Sequence, residues 1–254
     1  MSEWLVLSIA MIAACAVVLV IVIANHRFTS DNDDTSGTPD VLEYMTMMIG
    51  VVYAIVLGLA IAGVWEARGA AEEQVAREAQ ALHEVRERVQ VYPAEVRERV
   101  REDVDAYVAH VVGEEWPAEG ERGRITERGG ALLERVRRDV TDYRPRTDHE
   151  SQAYQPLVDH IAAADEARQA RGRGAGSTMP GVVWFGLIIG GLVTVGLIFA
   201  LQIRRTSREL LLAGLFSALI AFLLFLIWDF DAPFGRSGSD TAEPFIELFP
   251  QALG

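Results

Sequence analysis

Four long apolar runs constrain the fold of this chain more than any other feature of its sequence. A transmembrane helix needs about 20 apolar residues to cross roughly 30 Å of hydrocarbon. Four segments reach about that length without a charged side chain inside them: residues 4–24, 44–65, 179–203 and 210–228. The sequence therefore predicts an all-α integral membrane protein with four transmembrane helices.

The first apolar run also has the position of a secretory signal peptide, but its sequence fits that alternative poorly. A signal peptide begins with positively charged side chains and has an apolar region of roughly 7–15 residues. Here the first three residues are Met1, Ser2 and Glu3, and the apolar run that follows is longer. We therefore expect the first run to be retained as a span.

Between the second and third spans the chain becomes highly charged. Residues 66–178 contain 18 arginines and 24 acidic residues, and hydrophobic residues recur there at helical spacing. The sequence therefore predicts a helical extramembrane block between two pairs of spans. The predicted parts are a transmembrane hairpin at 1–65, the helical block at 66–178, a second hairpin at 179–228 and an acidic irregular tail at 229–254.

The second span and the first helix of the block are predicted to be one continuous helix. No proline or turn cluster separates Gly58 from Gln80, and Val75, Leu82 and Val89 then recur every seven residues. Glu78 interrupts the alternate apolar position of this repeat. We expect the helix to leave the membrane and to end just before Pro93, because proline disfavours a helical conformation in the preceding residue.

Three further helices are predicted in the block from stripes of apolar residues. The stripes begin at Val96, Leu132 and Tyr154. The segment at 113–123, "GEEWPAEGERG", is predicted to break the first of these helices, and "RGRGAGS" at 171–177 is predicted to be a flexible hinge. No strand pattern is present.

Charge and motif content argue against several classes of function. The net charge of −13 disfavours nucleic acid as a partner. The single cysteine, Cys15, excludes an intramolecular disulfide and a cysteine-rich zinc site. No zinc-protease, nucleophile-elbow, phosphate-loop or dinucleotide motif is present. The sequence offers no positive case for an enzyme, a cofactor or a metal site.

The short basic loop between the third and fourth spans predicts the orientation in the membrane. Arg204, Arg205 and Arg208 lie in this loop, and short basic loops stay in the cytoplasm. Both termini and the central block are then extracytoplasmic, because long domains are translocated largely regardless of their charge.

Small residues form stripes at four-residue spacing in two of the spans. Such stripes allow helix backbones to pack closely in lipid, and they are also compatible with a pore lining or a contact with a second copy of the chain. The stripe in the second span consists of Gly50, Ala54, Gly58 and Ala62, and that in the third consists of Gly186, Gly190 and Thr194.

Two further groups are candidates for function. Glu66 and Arg68 follow the second span and would form a charged ring at a pore mouth in an oligomer, although such residues also occur simply at membrane interfaces. No ionisable residue lies deep inside a span, which disfavours a proton-coupled pump. In the block, the "EWP" sequence of Glu115, Trp116 and Pro117 predicts a structural turn with a buried ring or, alternatively, an aromatic contact with a partner.

Several short motifs are distributed along nearly the whole chain. They include Tyr53, "VWE" at 64–66, "EWP" at 115–117, Trp184 and "DAPFG" at 231–235. In this combination the chain resembles a widespread bacterial four-span membrane family of unknown function that is described as bestrophin-like. The resemblance implies a distant likeness to chloride channels that assemble as rings. It identifies no pore or calcium-binding residue in this chain.

Two hypotheses follow for the function. In the first, the chain forms a homo-oligomeric, anion-permeable channel of bestrophin-like type in the bacterial plasma membrane, with the second span nearest the axis. In the second, it is a non-conducting sensor or envelope scaffold whose helical block binds a partner. The lipid bilayer and further copies of the chain are the expected partners, and the sequence names no soluble one.

Overall fold

The computed structural model describes residues 40–176, 178–201, 207–232, 234 and 242–252, and all regular structure among them is helical. Three helical segments in this part are long and apolar enough to cross a membrane: Tyr44–Val91, Gly181–Ile198 and Leu211–Phe230. The all-α prediction is confirmed for the described residues. The first predicted span, 4–24, lies outside them.

Helix α1 is the longest element of the described chain. It runs from Asp40 to Arg88, 49 residues, and passes through Gly69 without interruption. At 1.5 Å per residue its length is about 73 Å, more than twice the thickness of the hydrocarbon core. A short 3₁₀ turn, Val89–Val91, and the extended residue Tyr92 end it before Pro93. The predicted continuous helix is therefore present.

The chain divides into two compact units. The membrane unit comprises Met1–Trp65 and Met179–Phe230, and the second unit comprises Glu66–Thr178 and Asp231–Gly254. Besides the first part of α1, the described helices of the membrane unit are α2, Gly181–Leu201, and α3, Ser207–Phe230. Its apolar core contains Tyr53, Leu57, Val64, Leu187, Val195, Ala213, Ile220 and Ile227.

A tyrosine fixes the contact between α1 and α2 inside the membrane unit. The hydroxyl of Tyr53 donates a hydrogen bond of 2.8 Å to the backbone carbonyl of Leu187. Its ring lies against Gly190, where an added Cβ would be 2.8 Å from Tyr53 Cε2, and its hydroxyl against Gly191, where an added Cβ would be 2.8 Å from the oxygen. The two glycines therefore give the ring room to reach the carbonyl.

The second unit is a bundle of helices around its own apolar core. After α1 come α4, Ala94–His110, a π-helical turn at Val111–Glu115, α5, Trp116–Arg122, and α6, Glu127–Thr141. Helix α7, Asp148–Gly174, and the short α8, Glu243–Leu248, complete it. Thr126 and Thr147 cap α6 and α7 by accepting hydrogen bonds from Gly129 N and Glu150 N.

The predicted break at 113–123 is wrong in its position. The helical path continues from α4 through the π turn into α5 and ends only at Gly123, which has a left-handed φ of 63°. A π turn keeps helical dihedral angles while it accommodates an extra residue. Pro117 lies in the first turn of α5, directly after the π turn, where the backbone pattern changes from π to α.

The predicted hinge at 171–177 is also wrong over its first half. Arg171–Gly174 is the last turn of α7, and Arg171 is fully buried. The helical cost of glycine is only about 1 kcal/mol, and tertiary packing outweighs it here. Gly172 lies so close to Ile125 that an added Cβ would be 2.9 Å from its Cδ1.

The tail contains a helix that the sequence prediction did not include. Helix α8 and the residue that follows it bring Phe245 and Phe249 into the core of the second unit, where both rings are fully buried. Phe249 contacts His83 of α1, and Gln251 accepts a 2.9 Å hydrogen bond from Arg86. Burial of the two aromatic rings explains why this acidic segment is ordered against the block.

The contact at Tyr53 leads to a test within one helix. We expect Gly190→Ala to destabilise the protein by about 1–3 kcal/mol, the usual cost of adding a methyl group to a packed site, because the Tyr53 ring would have to move. Gly186→Ala is the matched control, since a Cβ there meets nothing within 4 Å. Thermal unfolding in detergent measures both variants, and equal midpoints would contradict the packing described.

Candidate functional site

The small-residue stripe of the second span faces away from the other described helices. Ala54, Gly58 and Ala62 are exposed and Gly50 is half-buried. A Cβ added at either glycine of this stripe meets no atom within 4 Å. Among the described residues, Ala54, Gly58 and Ala62 therefore take no part in packing between helices.

The stripe of the third span is divided between two environments. Gly186 is exposed, whereas Gly190 packs against Tyr53. Thr194 is buried, and its hydroxyl donates a 2.8 Å hydrogen bond to the carbonyl of Gly190 in the same helix. This stripe thus supports packing between α1 and α2 over one part of its length only.

The two charged residues that follow the second span have different surroundings. Glu66 is exposed, and Arg68 forms a 3.1 Å ion pair with Glu72 one turn further along α1. Pairs at this spacing contribute only about 0.3–0.5 kcal/mol. A pore-mouth role for Glu66 and Arg68 stays a prediction.

The main concentration of buried charge in the described chain lies in the second unit. Two arginines and three glutamates meet there, each no more than 5 % exposed. They come from α1, the π turn, α5 and α7, and we call them the buried ion cluster. Its members are Glu78, Glu115, Glu119, Arg168 and Arg171.

Arg171 lies at the centre of this cluster and binds all three carboxylates. Its Nε donates to Glu78 Oε2 at 2.8 Å, and its Nη2 donates to Glu115 Oε1 at 2.8 Å. Its Nη1 donates to Glu119 Oε1. The guanidinium carbon also lies 5.4 Å from the centroid of the Trp116 ring, a cation–π distance. Burial lowers the pKa of Arg171, but the charges of Glu78 and Glu119 outweigh it and raise this pKa well above its ordinary value.

Glu115 accepts four hydrogen bonds. One comes from Arg171, as above; the others come from Arg168 Nη2 at 2.9 Å and from the backbone N and hydroxyl of Thr126 at 3.0 and 2.6 Å. Burial alone raises the pKa of Glu115, but the charge of Arg171, the Thr126 hydrogen bonds and the charge of Arg168 together lower it below 4.5. Glu115 is therefore the stably ionised carboxylate of the cluster.

Polar groups outside the five members complete the cluster on two sides. The hydroxyl of the fully buried Tyr107 donates to Glu78 Oε1. Burial, followed by the charge of Glu78, raises the pKa of Tyr107 well above 10, so it stays a donor. Because the single proton of the Thr126 hydroxyl goes to Glu115, the 2.8 Å contact between His110 Nε2 and Thr126 Oγ1 requires the proton on the histidine nitrogen.

The "EWP" sequence contributes Glu115 to this cluster, and its Trp116 joins the cluster to the last part of the chain. Trp116 is buried, with its ring 5.5 Å from that of Phe234 and 6.4 Å from that of Phe245. Phe234 belongs to "DAPFG", and Asp231 of the same motif accepts a 2.9 Å hydrogen bond from the Thr178 hydroxyl. Two motifs that are far apart in the sequence therefore meet in one aromatic contact, while Pro117 is exposed.

Sequence reasoning missed four of the five cluster residues, although the sequence carries a signal for them. Arg168 and Arg171 continue the spacing of Leu157, Ile161 and Ala164, which are all buried on one face of α7. A charged side chain at an apolar position of a repeat needs a buried partner of opposite charge. Glu78 is the corresponding exception in the repeat of α1.

The cluster is built to hold charge and does not resemble a metal centre. Within the described ranges, no group of three or more histidine, cysteine, aspartate or glutamate side chains is arranged to hold a metal ion. Each of the three carboxylates is instead bound to Arg171.

Two adjacent glycines of α6 allow a matched test of the packing around the cluster. A Cβ at Gly129 would overlap Glu115 Oε2 and lie 2.8 Å from Arg168 Nη2, whereas a Cβ at Gly130 would lie 3.6 Å from Arg168 Nη1, an ordinary contact. We expect Gly129→Ala to cost about 3–5 kcal/mol, as disruption of a buried ion pair does. Gly130→Ala should stabilise by up to about 1 kcal/mol, because alanine favours helix.

Chemical or thermal unfolding of the two full-length variants measures these effects. The adjacent glycines share one helix and receive the same methyl group, so a difference between the variants reports the cluster alone. Equal stability of the two would refute the role of Gly129 in giving the cluster its space.

Comparison with known proteins assigns the chain to a family. The model of the bestrophin-like domain matches residues 12–244. No curated protein sequence matches the chain. Solved structures of two point variants of a bacterial bestrophin homologue from Klebsiella pneumoniae are similar to it, with TM-scores of 0.70 and 0.69 and 12% sequence identity. The alignments cover 96% of this chain and 98% of the first variant, and 99% of this chain and 99% of the second.

At 12% identity these structures show the shared fold alone. The family model supplies the stronger assignment, because it spans the described apolar helices together with the helical block. This chain is a multi-pass helical membrane protein that belongs to the bestrophin-like family.

Proposed function

We propose that this protein is an oligomeric, anion-permeable channel of the bacterial plasma membrane, with the apolar part of α1 nearest the axis of the assembly. The observation that carries the proposal is the outward-facing stripe of Ala54, Gly58 and Ala62 on this helix. Membership of the bestrophin-like family and likeness to the fold of a bacterial bestrophin homologue support it. The same family membership favours a non-enzymatic function.

The stripe suits contact between copies of the chain in lipid. Lipid tails are as apolar as leucine, so helices associate there through close packing, and small residues allow their backbones to approach. An exposed row of small residues on α1 therefore provides a surface for lateral association.

A pore lined by this segment would be apolar. Residues 44–65 contain no ionisable side chain, and apolar constrictions gate by excluding water. The preference for anions rests on the family likeness, since the segment supplies no fixed positive charge. The charged ring at Glu66 and Arg68, and the extracytoplasmic position of both termini and the block, belong to the same proposal.

A second function is favoured by a groove on the helical block. An open groove of about 840 Å³ lies between α1 and α7, with small residues such as Ala76, Ala163 and Ala170 beside charged residues such as Glu73 and Arg173. A groove of this kind offers room for a partner segment, as a sensor or envelope scaffold would require. This alternative differs from the channel in that the purified protein would conduct nothing.

Reconstitution into liposomes tests the channel. We expect purified protein to form an oligomer in detergent and to release halide from loaded vesicles. Gly58→Leu should reduce both, because a bulky side chain in the stripe separates the helices. A loss of about 1.4 kcal/mol in association would lower the association constant about tenfold.

Gly63→Leu is the matched control for this experiment. Gly63 is also an exposed glycine of α1 with nothing within 4 Å of an added Cβ, but it lies on a different face from the stripe. We expect it to leave the oligomer and the flux unchanged. A monomer without halide flux would rule out the channel and favour the sensor or scaffold.

A further inference from the structure

One carboxylate oxygen of the buried ion cluster lacks a partner. Glu119 is 1 % exposed, and its Oε1 accepts from Arg171, but its Oε2 has no hydrogen-bond donor among the described residues. Every other carboxylate oxygen of the cluster, on Glu78 and Glu115, accepts at least one hydrogen bond. A buried carboxylate oxygen without a donor is costly when it is charged, but as the O–H of a neutral acid it is much less so.

The charges of the cluster also do not balance. Three glutamates face two arginines, Arg168 and Arg171, so the fully ionised cluster carries an excess negative charge. Burying an uncompensated charge is strongly unfavourable. One bound proton makes the cluster neutral.

We propose that the buried ion cluster of the helical block is a proton-binding site, in which the carboxyl group of Glu119 holds one proton in the folded protein and releases it as the surroundings become alkaline. The neighbours of Glu119 determine why this carboxyl holds the proton. Glu115 accepts four hydrogen bonds and Glu78 is bound by both Arg171 and Tyr107, whereas Glu119 is bound through one oxygen only.

The groups around Glu119 shift the pKa of its carboxyl group in opposite directions. Burial raises its pKa most, the charge of Arg171 lowers it, and the charges of Glu115 and Glu78 raise it again, with a result of about 7. The charged side chains that act on Glu119 are Arg171 of α7, Glu115 of the π turn and Glu78 of α1. Two further groups act through these carboxylates: Tyr107 of α4 donates to Glu78, and Arg168 of α7 donates to Glu115.

Release of the proton would lower the stability of the folded protein, because burial and the charges of Glu115 and Glu78 disfavour the ionised form of Glu119. The pKa of Glu119 rises from the ordinary value of 4.5 to about 7 on folding, so the folded protein binds more protons than the unfolded chain between these values. Stability therefore falls as pH rises through this window and is constant above it, as far as Glu119 is concerned. Arg171, which binds Glu119, also lies over the ring of Trp116, and that ring contacts Phe234.

Infrared difference spectroscopy of the full-length protein in detergent tests the proposal directly. A protonated carboxylic acid has a carbonyl stretch that a carboxylate lacks. We expect this band to disappear with a midpoint near neutral pH in the wild type and to be absent in Glu119→Gln. Persistence of the same titrating band in Glu119→Gln, or its absence from the wild type, would overturn the proposal.

Two further measurements keep the test independent of one variant. Glu115→Gln removes a negative charge beside Glu119, so the midpoint of the band should move to lower pH; an unchanged midpoint would contradict the charge-balance argument.

The thermal unfolding temperature of the wild type should decrease as the pH is raised from about 5 to about 8. Glu119→Gln should lose that dependence, whereas Glu95→Gln, a change at an exposed glutamate of α4, should retain it. These readouts do not require the protein to conduct ions.

Discussion

The second unit depends on the contacts of one guanidinium group. Arg171 binds carboxylates from α1, the π turn and α5, and its own helix is α7. Only arginine has five N–H groups arranged in a plane, so a single side chain donates to three carboxylates in fixed directions. The four segments are therefore held in one mutual arrangement by a group that has no exposed surface.

Such a cluster contributes more to the uniqueness of the fold than to its net stability. The desolvation of the charged groups offsets most of their mutual attraction, and an apolar core of the same volume is often as stable. An apolar core, however, tolerates many packings. Here a shift of one helix by a single turn would leave Arg171 or a glutamate buried without its partner, which makes the alternative arrangements costly.

Helix packing in the membrane unit has a different origin, because no water is displaced when helices meet in lipid. Its described helices approach through glycines and through the hydrogen bond of Tyr53 to the Leu187 carbonyl. Lipid solvates apolar side chains as well as a protein core does, so backbone proximity and polar contacts decide the packing. The exposed apolar side chains of this unit, such as Leu59 and Phe185, are consequently compatible with a stable fold.

Periodicity predicted the helices well and the buried charges poorly. The apolar runs, the continuous α1 and the helices beginning near Val96, Leu132 and Tyr154 follow from local spacing. Arg171 was assigned to a flexible segment because the glycines around it are locally unfavourable for a helix. Its burial depends on Glu78 and Glu119, 93 and 52 residues away in the sequence, and no local pattern reveals such a pairing.

The π turn at Val111–Glu115 constrains the number of residues in its segment. A π turn holds one residue more than the α-helical path would need. Removal of a single residue there would convert the turn to regular α-helix and leave Glu119 on its face of α5. A second removal would have no wide turn left to absorb it, and it would rotate everything after it by about 100° around the helix axis. Glu119 would then point away from Arg171. The π turn therefore limits how far the length of the segment between Tyr107 and Trp116 can change before a carboxylate loses its cation.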